Sequence, residues 1–199
     1  LLLRSIVVIL CLSAVQAKAF EEDDEPGAWN VFGADDRKPL LSHRYPWTTI
    51  GYLTNGCTAT LVSRDVILTA AHCLYDPKTF KLRSWVKFYP NRVYLSGSAA
   101  SYKLVRVWAG SKKPRQNSHL DWAFAKLSAP AGDRYGWMGV TPQEVNTVTL
   151  AGYSGNYNQG RTGSAHQNCH VRKRLNGYFY HDCDMGRGAS GRSEEHTSE

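Results

Sequence analysis

From Tyr45 onward the chain breaks into short runs of β-branched and aromatic residues, separated by glycine, asparagine, proline and serine, with no long amphipathic helix between them. Thr48–Leu53 and Cys57–Val62 flank Asn55-Gly56, two residues that tolerate positive φ and so favour a tight hairpin. Val66–Thr69, Val86–Tyr89, Arg92–Leu95, Lys103–Trp108, Trp122–Leu127, Thr147–Gly152 and Tyr178–His181 continue the series. Strands this dense, without helices to carry parallel crossovers, predict an all-β chain built as an antiparallel barrel or sandwich. Ser128–Gly136, rich in small and turn residues, is the expected link between two halves. The six tryptophans are spread through both halves and are expected to pack in core and rim rather than to cage a ligand.

The ends read differently from the middle. Leu1–Ala19 has a basic residue (Arg4), a short apolar run (Ile6–Leu12) and a small-x-small site at Ala17-Lys18-Ala19. That pattern predicts a signal peptide cut before Phe20, and the apolar run is far short of the roughly 20 residues a membrane span needs. Residues 20–30 include the acidic run Glu21–Glu25 and then Pro26-Gly27, the composition of a short solvated pro-segment. Residues 192–199 (RSEEHTSE) are polar and unpatterned, and they are similar to the translated start of a sequencing-library adapter. They are expected to stand outside the fold, with Gly191 as the last genuine residue.

Export agrees with the cysteines. Of five, Cys11 leaves with the signal, and Cys57, Cys73, Cys169 and Cys183 remain. Four cysteines allow three pairings; the nearest-neighbour one, Cys57–Cys73 with Cys169–Cys183, closes two short loops. Each would stabilise the fold by about 3 kcal/mol in the chain-entropy model. A zinc site is the competing reading, and the absence of any CxxC spacing argues against it. The net charge of +7 is unchanged when signal and tail are set aside, because three basic and three acidic residues go together. A nucleic-acid groove would gather that charge; here Lys and Arg are scattered and the densest run, Arg172-Lys173-Arg174, is short.

Three segments carry chemistry in combination. In Leu68-Thr69-Ala70-Ala71-His72-Cys73 a strand ends and a histidine follows two alanines, small enough to let the imidazole approach neighbouring backbone. Asp121 heads the apolar strand Asp121–Leu127, where its carboxylate could accept the Nδ1 hydrogen of a histidine and fix its tautomer. In Gly186–Gly191 glycines surround Ser190, so the backbone can turn tightly and converge the amides of Gly188 and Ser190 on an oxyanion. Singly, each fragment is commonplace: a structural histidine, a turn aspartate, a chance GxSG. Together, in the order His, Asp, Ser and with a cysteine pair beside the histidine, they describe a nucleophilic triad.

TAAHC, DWAFAKL and GASG resemble the three signature segments of chymotrypsin-fold serine peptidases. Val31–Arg37, YPWTTIGYL and HDCD more closely resemble the glutamyl-endopeptidase branch of that family, and the likeness runs from about Val31 to Gly191. It implies two antiparallel β-barrels, about 45–128 and about 137–191, with the active site between them. His72 would be the general base, Asp121 its orienter, Ser190 the nucleophile, and Gly188 with Ser190 the oxyanion donors. The resemblance further implies a secreted monomer acting on polypeptides, with no cofactor, no metal, no nucleic acid and no stable membrane association. Ala189 stands where digestive trypsin-type members carry the aspartate of their activation switch. In the family, pocket-wall strands and a terminal helix follow the nucleophile; the expectation is therefore an incomplete second barrel and an inactive fragment of an active parent. Asp184, six residues before Ser190, lies where trypsin-like members bind Arg or Lys, yet some relatives with a similar residue there prefer acidic substrates, so both preferences stay open. Processing at Asn30-Val31 is expected, as in relatives that begin with a similar Val-led segment. The alternative from another class is a protease-like binding protein that keeps the barrels and does no chemistry.

Overall fold

The computed structural model of the chain describes residues 31–93, 100–116, 118–141, 144–175, 178–186, 189–191 and 193–195. The expected signal peptide and pro-segment, and Gly188, lie outside the described residues. Six strands, β2 (Ile50–Leu53), β3 (Thr58–Ser63), β4 (Val66–Thr69), β5 (Lys87–Pro90), β6 (Tyr102–Ala109) and β7 (Ala123–Leu127), close into an antiparallel barrel in the order β2-β3-β4-β7-β6-β5. Its interior follows from the two-residue period of a strand: Ala123, Ala125 and Leu127 of β7 point in, while Phe124 and Lys126 point out. Leu53, Ala59, Leu61, Ile67, Val86 and Phe88 fill the rest, all fully buried. The barrel closes tightly around Phe88, since a Cβ on Gly51 would lie 2.3 Å from its ring.

The turn between β2 and β3 forms at Asn55-Gly56, with Gly56 at φ 92° and its amide donating to Leu53 O at 2.9 Å. The run expected at Arg92–Leu95 is not a strand at Arg92 and Val93, and its remainder lies outside the described residues. The linker 128–136 contains a one-turn helix, α2 (Gly132–Tyr135), fastened to the barrel by Arg64 on Asp133 and by Thr48 Oγ1 donating to Tyr135 O at 2.7 Å.

The second half is a sheet of five strands. β8 (Thr147–Gly152) and β9 (Ser164–Leu175) form its spine, β1 (Lys38–Pro39) and β10 (Tyr178–His181) pair with β9, and β11 (Ser193–Glu195) pairs with β8. β9, the longest strand, was not expected: its polar sequence SAHQNCHVRKRL lacks a β-branched run, and pairing on several sides holds it extended. Opposite Thr149 it bulges, with Asn168 at φ 61°. β11 lies within the expected tail 192–199, of which only 193–195 are described. The free edge of β8 offers unpaired backbone groups, and pairing with them depends little on side-chain identity.

Val148, Leu150, Cys169 and Cys183 form a small core under this sheet. A separate cluster, Ile50 with Ala151, Tyr153 and Ala165, joins the two halves. Tyr153 spans that seam: its amide donates to Thr58 Oγ1 at 2.8 Å and its hydroxyl to Arg92 O at 2.8 Å, and burial pushes its phenol well above the usual tyrosine range.

Candidate active site

His72 sits on a single helical turn, α1 (Ala71–Leu74), that begins where β4 ends. Ala71 and Leu74 of this turn are wholly buried in the barrel core, which leaves His72 facing outward and half-buried. The disulfide Cys57–Cys73 ties the turn to the start of β3, and Asn55 Nδ2 donates to Cys73 O at 2.6 Å.

Asp121 follows a short 3-10 turn, Ser118–Leu120, and donates its own amide to Ser118 O at 3.1 Å. The Ser118 hydroxyl meets the Tyr178 hydroxyl at 2.6 Å, so the second sheet braces this turn. The Asp121 carboxylate holds the histidine twice. Oδ1 accepts the His72 backbone amide at 2.9 Å, and Oδ2 lies 2.6 Å from His72 Nδ1. A carboxylate can only accept, so Nδ1 carries the hydrogen and Nε2 keeps its lone pair. The two bonds from one carboxylate fix both the position and the tautomer of the ring.

Ser190 is half-buried and arrives from the other half of the molecule. Its carbonyl accepts the Thr58 amide at 2.9 Å, and Cys73 Sγ lies 3.9 Å from the same oxygen. The next residue explains the glycine of GASG. Gly191 has φ 78°, and a Cβ there would lie 2.1 Å from Thr69 Oγ1 and 2.4 Å from Thr58 O. The turn that carries Ser190 is thus pressed against the strand ends next to His72.

Thr58 was not foreseen as a site residue. Besides holding Ser190, it receives the Thr69 hydroxyl on its carbonyl at 2.7 Å and the Tyr153 amide on its hydroxyl. Only its place next to Cys57 hinted at this. Both expected disulfides form, Cys57–Cys73 in the first half and Cys169–Cys183 in the second. Cys57, His72 and Cys73 crowd together at metal-ligand spacing, but the disulfide leaves no thiolate to bind an ion.

Asp184 is not placed in an open pocket. Its side chain is wholly buried, Oδ1 accepts the Phe32 amide at 2.8 Å, and Oδ2 accepts the Asp36 amide at 2.9 Å. The Asp184 amide in turn donates to His166 Nδ1 at 2.9 Å. Asp36, His166 and Asp184 also cluster, with their ligand atoms already engaged at Asp184 and His166. Next to this anchor, the buried Arg37 pairs with Asp35 at 2.7 Å and donates to Asn156 Oδ1 at 2.8 Å. The Arg37 guanidinium holds the Asp35 carboxyl below its ordinary range. These contacts strap the segment 32–37 to Asp184, six residues before Ser190, and to the turn at Asn156 between β8 and β9. Arg37 lay inside the segment that carried the family likeness, but no sequence pattern marked it as buried.

Residues 36–177 match the model of the family described as Trypsin. Serine protease 23 of Rattus norvegicus is 30% identical over 190 residues, covering 83% of this chain and 48% of its own length. Glutamyl endopeptidase of Bacillus licheniformis is 29% identical over 139 residues, covering 66% of this chain and 44% of its own. The chain therefore spans about half the length of the curated relatives it matches. The solved structure of a Glu endopeptidase in complex with MPD superposes with a TM-score of 0.70 at 24% identity, over 82% of this chain and 81% of that one.

Proposed function

The chain belongs to the trypsin family of serine peptidases, and on that premise we propose that the full protein is a secreted endopeptidase with His72, Asp121 and Ser190 as its catalytic triad. The observation that carries this reading is the double hold of one carboxylate on His72, beside a serine anchored at Thr58. His72 Nε2, left with a lone pair, takes the Ser190 proton as Oγ attacks the substrate carbonyl. The imidazolium is stabilised by Asp121 and returns the proton to the departing amine. The acyl-enzyme is then hydrolysed by water, which His72 deprotonates in the same way. The amides of Gly188 and Ser190 are the proposed donors to the developing oxyanion. Signal cleavage after Ala19 would deliver the protein to an oxidising compartment, in keeping with its two disulfides.

The burial of Asp184 favours acidic over basic specificity. A carboxylate with no exposure and two amides on its oxygens has nothing left for a substrate cation, and the likeness to a glutamyl endopeptidase points the same way. We therefore read Asp184 as the anchor of the 32–36 segment, and Glu as the preferred residue at the attacked carbonyl.

A fluorophosphonate probe tests the triad. The full-length protein should be labelled covalently at Ser190, and Ser190→Ala should abolish labelling. A folded protein that never labels would instead be a barrel-bearing binding homologue; labelling that survives Ser190→Ala would remove the assigned nucleophile.

A further inference from the structure

A cleft of about 230 Å³ opens beside His72, on the side of the Cys57–Cys73 disulfide. One wall is the loop that follows α1, with Tyr75, Pro77, Phe80 and Arg83; the other is Lys113–Gln116, in the segment before Asp121. The lining contains three cations, Arg83, Lys113 and Arg115, and no carboxylate. Among the described residues none of the three forms an ion pair, whereas Arg37, Arg64, Lys126, Arg172 and Arg174 each do. Asp76, which feels the charge of Arg83, is turned into its own loop: its Oδ1 accepts the Lys78 amide at 3.0 Å, the Thr79 amide at 2.8 Å and the Thr79 hydroxyl at 3.0 Å.

The loop is built rather than slack. Asp76 N donates to Lys81 O and Phe80 N to Asp76 O, both at 2.9 Å, and Tyr75 bridges Leu82. Phe80 holds φ 56°, a left-handed conformation that a bulky side chain seldom adopts unless its surroundings impose it. Its ring lies 4.8 Å from Lys113 Nζ, so an aromatic face and an ammonium from opposite walls meet across the cleft.

We propose that this cleft is the subsite for an acidic side chain of the polypeptide substrate, at a position flanking the bond that is cut. Tyr75, Pro77, Phe80 and Pro114 suit an aliphatic stem, and the three lining cations suit the carboxylate at its end. Because the proposed general base lines the same cleft, whatever fills it lies next to the reacting carbonyl. This inference rests on the serine-peptidase reading and extends it: the enzyme would read a carboxylate beside the scissile residue as well as the residue itself.

The test is cleavage of peptides with a fixed scissile residue and Glu, Gln or Lys scanned through the flanking positions, together with probe labelling of the same protein. One flanking position should favour Glu over Lys by roughly tenfold in kcat/KM at low salt, the summed effect of a few exposed charge pairs. That ratio should fall toward unity in high salt, as screening predicts. Lys113→Glu with Arg115→Glu should invert the preference at that position only; if the variant does not fold, the salt series on the unaltered protein decides. A protein that labels at Ser190 yet shows no salt-sensitive charge preference at any flanking position overturns the cleft assignment and leaves the triad standing. An unchanged preference in the folded double variant also overturns it, and failure to label at all removes the reading beneath it.

Discussion

The two halves of the chain are both antiparallel sheets, but they reach stability by different routes. In the first, six strands close on themselves, every strand has two neighbours, and a continuous core of wholly buried side chains runs down the middle. In the second, the described strands leave the sheet open, most of the outer end of β9 is exposed, and the core under it is four residues with three partly buried neighbours. What the second half lacks in core it makes up in tethers: a disulfide, the docking of Tyr153 and the strap 32–37. The proposed catalytic groups divide along the same line. His72 and Asp121 come from the closed barrel, and Ser190 from the tethered half is set against it through Thr58 and Gly191. The histidine and aspartate should therefore keep their geometry under stresses that displace the serine.

Core truncation should expose the difference most strongly. Phe88→Ala, in the barrel, should cost about 4 kcal/mol, because the closed strands cannot collapse into the space. Leu150→Ala, in the smaller core, should cost about 2–3 kcal/mol, near the lower end for such changes. Urea melts would measure both. Equal losses, or a larger one at Leu150, would mean that the second half is as well packed as the first.

An effect smaller than that of Phe88→Ala should follow loss of the second disulfide. Cys169→Ser with Cys183→Ser should lower stability by about 3 kcal/mol, the chain-entropy value for a loop of this size. Amide hydrogen exchange should then quicken in β9 and β10 while β3, β4 and β7 keep their protection. Uniformly faster exchange through the barrel would show that the two halves unfold as one unit.

The closed barrel was the more legible half for a physical reason. Buried strands need apolar and β-branched side chains, so Val66–Thr69 and Trp122–Leu127 announce themselves, as does Thr147–Gly152 in the buried spine of the second sheet. Ser164–Leu175 does not, because it is held by backbone pairing and only a few of its side chains are buried. At the candidate site, the pairing of His72 with Asp121 was readable because the proposed chemistry demands those residue types. Thr58 was not: its backbone amide does the holding, and any residue but proline supplies one. Asp184 stayed open for the opposite reason, since a carboxylate six residues before Ser190 looks the same in sequence whether it faces a pocket or accepts backbone amides. The cationic cleft was hidden because Arg83 and Lys113 lie 30 residues apart, and only folding brings them to one opening.

If Asp121 holds His72 in one tautomer for Ser190, then kcat of Asp121→Asn in the full-length protein should show it most plainly. Asparagine keeps an oxygen for the His72 amide, so the thermal melt should barely move. Its amide NH₂ facing Nδ1 would, however, force the hydrogen onto Nε2 and leave no base for the serine. The expected outcome is a fall in kcat on the order of 10⁴-fold with the fold intact. Near-full activity in Asp121→Asn would contradict it.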